Sequence, residues 1–136
     1  MAHVTTTIDQ TVIIPATPEE VYRAYTDPEE HAAFTGAEAS GEAIVGEPFT
    51  AWGGYIEGTY LELVPNQKIV QEWSTSEWPE GYPPSRLEIT LTPHPDGTEL
   101  HLVQTEVPTE QAPDYEDGWH TSYWQPLTAY LEEHKA

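Results

Sequence analysis

Twenty-four Asp and Glu residues stand against four Lys and Arg in this 136-residue chain, a formal net charge of −20 at pH 7. No fold can bury that many carboxylates, so they must lie outside, around a neutral interior. Five Trp, eight Tyr and a hydrophobic fraction of 38% can supply that interior, and they argue against a disordered chain. Repulsion among like charges opposes compaction; salt screens it, with a Debye length of about 3 Å at 1 M. The balance therefore predicts a folded, salt-loving protein of the kind a halophilic cell makes. It also excludes function classes. Arg23, Lys68, Arg86 and Lys135 are scattered singly, so no basic patch exists to release counterions from nucleic acid or to hold an anionic membrane. Without cysteine there is no disulfide, thiolate metal site or thiol nucleophile.

The length favours one domain spanning 1–136. Met1 to Ile14 lacks the basic-then-apolar layout of a leader, and no apolar run is long enough to insert in a membrane; a cytoplasmic protein is expected. Val4 to Ile14 alternates as a strand. Thr17-Pro18-Glu19-Glu20 and Asp27-Pro28-Glu29-Glu30 then repeat one syntax, a capping side chain, Pro at the first helical position and Glu at the third. Two short helices are predicted, about 18–26 and 28–34, each opened by a capping box. From Glu38 to Val107 strands alternate with Pro, Asn and Gly turns, among them an Asp96-Gly97 hairpin signal. Leu87, Ile89 and Leu91 share one face, which implies an antiparallel sheet with one wet side. A helix over roughly Asp114 to Glu133 carries Trp119, Tyr123, Leu127, Tyr130 and Leu131 on one face, with Trp124 at its edge. Pro126 inside it predicts a kink.

This order of elements, with Ile14-Pro15-Ala16-Thr17-Pro18-Glu19-Glu20-Val21-Tyr22, Gly58-Thr59-Tyr60-Leu61-Glu62-Leu63-Val64-Pro65-Asn66, Asp96-Gly97-Thr98-Glu99-Leu100-His101-Leu102 and Gly118-Trp119 followed by Pro126-Leu127-Thr128-Ala129-Tyr130-Leu131, resembles the helix-grip fold of the START-like (SRPBCC) superfamily. Within it the chain is similar to the family homologous to the activator of the heat-shock-protein-90 ATPase. The resemblance implies an α+β architecture: a curved antiparallel sheet of six or seven strands wrapped around a long C-terminal helix, with two short helices after the first strand. It departs from many relatives at Phe34-Thr35-Gly36, where they carry Trp. It implies a non-catalytic binding domain with an apolar cavity for a hydrophobic or amphipathic small molecule such as a lipid, sterol or flavonoid. A stress-related co-chaperone-like module, with a chaperone as partner, is the other function it implies. No cofactor is implied, and the expected state is a monomer or weak dimer.

Within that frame Trp73, Trp119, His120 and Tyr123 are the candidate pocket residues, Glu116 their polar support, and Trp52 and Trp78 candidates for the cavity mouth. Six Tyr near the candidate cavity favour an amphipathic pocket over a wholly packed core, since buried phenols need partners. At 100° per residue His120 falls on the apolar arc with Glu116 one turn before it. A polyketide cyclase or aromatase-like enzyme using Glu116–His120 as acid–base pair is the rival reading. Two such groups without a third do not make a metal site. His3, His31, His94, His101 and His134 are assigned to the surface, and Arg86 to an ion pair with one of the many acids. A third reading is an interaction protein whose aromatic side chains fill the core completely.

Overall fold

The computed structural model describes residues 4–133. β1 (Thr5–Ile14) leads into α1 (Pro18–Thr26) and α2 (Pro28–Thr35). Thr17 and Glu20 form the expected reciprocal capping box: the Glu20 amide donates to the Thr17 hydroxyl and the Thr17 amide to the Glu20 carboxylate. At the second start only half of that pattern forms. The Asp27 carboxylate caps the Glu29 amide at 2.8 Å, while Glu30 turns away to take Arg23 at 2.9 Å and the Tyr130 hydroxyl at 3.2 Å. A scarce cation outcompetes a backbone N–H for that carboxylate.

The sheet follows with β2 (Pro48–Ala51), β3 (Ile56–Val64), β4 (Lys68–Thr75), β5 (Ser85–His94) and β6 (Gly97–Pro108). All pairings are antiparallel, in the order β1-β6-β5-β4-β3-β2. Alternation places Leu87, Ile89 and Leu91 of β5 and Leu100, Leu102 and Gln104 of β6 inward, all buried. The hairpin turn sits one residue earlier than its sequence signal. His94 pairs with Gly97, so Pro95 and Asp96 make the turn. Gly97 opens β6 at φ +138°, where a Cβ would lie 2.1 Å from the Ile14 carbonyl oxygen; only glycine fits there.

Three consecutive segments form the C-terminal helix: α3 (Ala112–Gly118), a π-helical stretch Trp119–Trp124, and α4 (Gln125–Glu133). The expected disturbance at Pro126 takes this form. Pro126 has no N–H, and its ring crowds the carbonyl four residues back. The wider turn ahead of it, with the Gln125 N–H reaching the His120 carbonyl, absorbs both effects. It also changes which residues point inward. Trp124, predicted at the edge, is buried and stacks on Trp119, ring centroids 5.5 Å apart and 17° from parallel. No helix among the described residues is long and apolar enough to cross a membrane.

Candidate functional site

Buried indole N–H groups must find acceptors, and two glutamines in the sheet supply them. The Trp119 Nε1–H donates to Gln104 Oε1 at 2.9 Å; Gln104 Nε2 donates to the Ser85 hydroxyl, which donates to the Trp73 carbonyl. Gln10 does the same at the next turn, accepting from Trp124 Nε1 at 3.2 Å and donating to the Glu116 carbonyl at 2.7 Å. These two links clamp the helix to β1 and β6, both at one end of the sheet order. On the β3–β4 side the helix stands off, and a cleft of about 370 Å³ opens between them, within the ~300–1,000 Å³ range of small-molecule sites.

Sheet residues Ile56 and Trp73 and helix residues Tyr115, Trp119 and Tyr123 line the cleft, with Gly118 and Ser122 between them. Trp52 and Tyr55 close one side, and Asp114 stands exposed at the lip. Trp52 holds a left-handed backbone, φ +54°, in the 3-10 turn Trp52–Gly54 that follows β2. Such a conformation costs a bulky residue of order 1 kcal/mol or more. Here it sets the indole edge-on to Tyr123, centroids 6.4 Å apart. The rings continue as one wall: Trp119 to Tyr123 at 4.8 Å, Trp73 to Trp119 at 5.5 Å, Trp73 to Tyr115 at 5.3 Å.

The phenols of that wall already have partners. Tyr115 hydrogen-bonds Thr75 and donates to Gln111, both at 2.7 Å. Tyr123 pairs with His31 at 3.0 Å. The Trp73 Nε1–H does not: Trp73 is 3% exposed, and its indole nitrogen is the one buried side-chain polar atom without a hydrogen-bond partner among the described residues. An unmet buried donor costs ~1–3 kcal/mol.

Of the sequence candidates, Trp52, Trp73, Trp119 and Tyr123 come together in the cleft. Trp78 is half-buried behind it, stacked on Tyr115, and donates to the Pro83 carbonyl at 2.9 Å. Glu116 and His120 lie exposed on the outer side of the helix and do not line the cleft. For His120 the π stretch Trp119–Trp124 explains this, because a constant 100° step no longer relates His120 to Leu131. The surface assignment of His31 is corrected in turn. It is 6% exposed, and the Tyr25 carbonyl 2.9 Å from Nδ1 fixes the proton there, leaving Nε2 to accept the Tyr123 O–H. Burial lowers its pKa, the bond to the Tyr25 carbonyl opposing in part. Burial likewise raises the Tyr123 phenol well above its ordinary value. His94 and His101 do stand at the surface, His101 against Asp9 at 2.9 Å, and Arg86 pairs with Glu88 at 2.9 Å; His3 and His134 fall outside the described residues. Nothing in the sequence marked His31, which packs between its neighbours Tyr25 and Phe34 and Tyr123, 92 positions away. Among the described residues no three His, Cys, Asp or Glu side chains converge on a metal position.

The model of a family described as Activator of Hsp90 ATPase homolog 1-like protein matches residues 15–132. Activator of 90 kDa heat shock protein ATPase homolog 1 from Homo sapiens is 33% identical over 110 residues, 81% of this chain and 32% of the human one. Homolog 2 from Mus musculus is 30% identical over 128 residues, 94% of this chain and 38% of its own. The chain thus spans about a third of the length of these curated relatives. Protein MLL2253 from Mesorhizobium loti superposes with a TM-score of 0.81 at 25% identity, over 96% of this chain and all of that one. PFC0360w, an HSP90 activator from Plasmodium falciparum, gives 0.79 at 21%, over 94% and 96% of the two chains. The shared architecture is the helix-grip fold.

Proposed function

Because the chain belongs to the family of Activator of Hsp90 ATPase homolog 1-like proteins, we propose that it uses the family's frame to bind a hydrophobic or amphipathic small molecule in the cleft between the C-terminal helix and β3–β4, without catalysing a reaction on it. The observation that carries this reading is the ~370 Å³ cleft with its aromatic lining. A packed core would not leave that space. An acid–base reaction inside the cleft draws no support from Glu116 and His120, which lie outside it. The test is a two-dimensional NMR titration in molar salt with fatty acids, sterols, flavonoids and alkylammonium amphiphiles. Shifts clustering at Ile56, Trp73, Gly118 and Tyr123 are the expected result; no shifts with any class would overturn it.

A chaperone-directed role is the second reading, and the observation favouring it is the 33% identity to the human activator. Stimulation of an Hsp90 ATPase by this chain alone would support it. An unchanged rate at saturating chain would count against it.

A further inference from the structure

Resting on the small-molecule reading above, we propose that the cleft takes an organic cation, a quaternary or alkylated ammonium. Two independent features of the lining converge on that chemistry. Trp52, Trp73, Tyr115, Trp119 and Tyr123 form a continuous aromatic wall, each ring within 6.4 Å of a neighbour. Aromatic faces are electron-rich and attract cations by ~0.5–2 kcal/mol or more, most strongly where water is excluded. The charged residue among the lining is Asp114, an anion at the lip. No Lys, Arg or His lines the cleft; Arg23, Lys68 and Arg86 are held elsewhere by Glu30, Glu62 and Glu88. A fatty-acid headgroup entering there would lose its hydration, meet no counter-ion and face Asp114 within a chain of net charge −20.

The phenols of Tyr115 and Tyr123 are engaged with Thr75, Gln111 and His31, so the wall offers the cleft its rings and not free hydroxyl groups. Such a ligand places its cationic head against the rings below Asp114.

Calorimetry in molar potassium chloride tests this with benzoylcholine and its uncharged carbon isostere, 3,3-dimethylbutyl benzoate. High salt removes the general pull of the acidic surface on any cation, so a remaining preference reports contact with the cleft. Benzoylcholine should bind about tenfold more tightly than the isostere. Asp114→Asn should shrink that ratio about threefold or more. Trp73→Phe, which replaces an indole of the wall by a ring that attracts cations less strongly, should weaken benzoylcholine more than the isostere. Equal affinity for the two esters, with binding intact, would overturn the cation preference and leave the small-molecule reading standing. Binding of neither would overturn both. Preferential binding of decanoate would overturn the charge argument outright.

Discussion

Gln104 is the side chain on which the seating of the C-terminal helix turns. It sits on β6 at 0% exposure, opposite Ile8 on one side and Leu87 on the other, where the alternation of the strand would ordinarily place a leucine. Replacing it with Leu keeps the volume nearly constant but removes both ends of a polar link. The Trp119 N–H loses its 2.9 Å acceptor and becomes a buried orphan, at ~1–3 kcal/mol. The Ser85 hydroxyl loses the Gln104 donor while keeping its own bond to the Trp73 carbonyl, a further ~0.5–1.5 kcal/mol. Gln104→Leu should therefore destabilise by about 2–4 kcal/mol. Urea unfolding in constant molar salt would show it as a lower midpoint with unchanged slope, and Tm should fall by roughly 3–4 °C per kcal/mol at this size. Trp119→Phe has no N–H to orphan, so combining the two should cost about 1–3 kcal/mol less than the sum of the singles. A Gln104→Leu protein within 0.5 kcal/mol of the parent would refute the reasoning, since the link would then contribute nothing beyond the packing that Leu preserves.

Other perturbations separate stability from binding. The buried His31 has a lowered pKa, so the unfolded chain takes up its proton first and stability should fall as pH drops below about 6.5, by at most ~1.4 kcal/mol per pH unit; His31→Gln should flatten that limb of the profile, and an unaltered profile would contradict the burial. Gly118 is helical, lines the cleft, and has nothing within 4 Å of the position its Cβ would take. Gly118→Ala should raise stability by about 0.5–1 kcal/mol while weakening any cleft ligand, and calorimetry of the same sample reads both. Only three cations lie among the described residues, and they neutralise a small part of the 24 carboxylates, so Tm should rise by about 5 °C or more from dilute buffer to molar salt; a flat Tm would refute the salt-loving reading.

Local chemistry made most of the frame legible. The Thr17 and Asp27 caps, the inward run Leu87, Ile89 and Leu91, and the apolar spacing of the last helix each depend on neighbours within a few positions, and each forms at its expected place. The candidate site was legible in its aromatic members: Trp73 alternates inward on β4, and Trp119 and Tyr123 share a helix face. Errors arose where distant contacts or irregular geometry decided. Glu30 left its cap for Arg23, a choice set by tertiary charge. His120 left the apolar arc because the π stretch ahead of Pro126 breaks the constant step that any helical wheel assumes. Gln10 and Gln104 carry no local signal of their role, and only the indoles opposite them reveal why polar atoms belong on those inward strand positions.

The central claim is that an open cleft lies between the C-terminal helix and β3–β4, and xenon tests it without presupposing a ligand, since it enters apolar cavities. Heteronuclear NMR spectra under rising xenon pressure should show saturable shifts at Ile56, Trp73, Gly118 and Tyr123, and little change around Ile8 and Leu102, where the core is packed. Absent shifts, or shifts spread evenly over the molecule, would contradict the account and mean that the aromatic side chains close the space in solution.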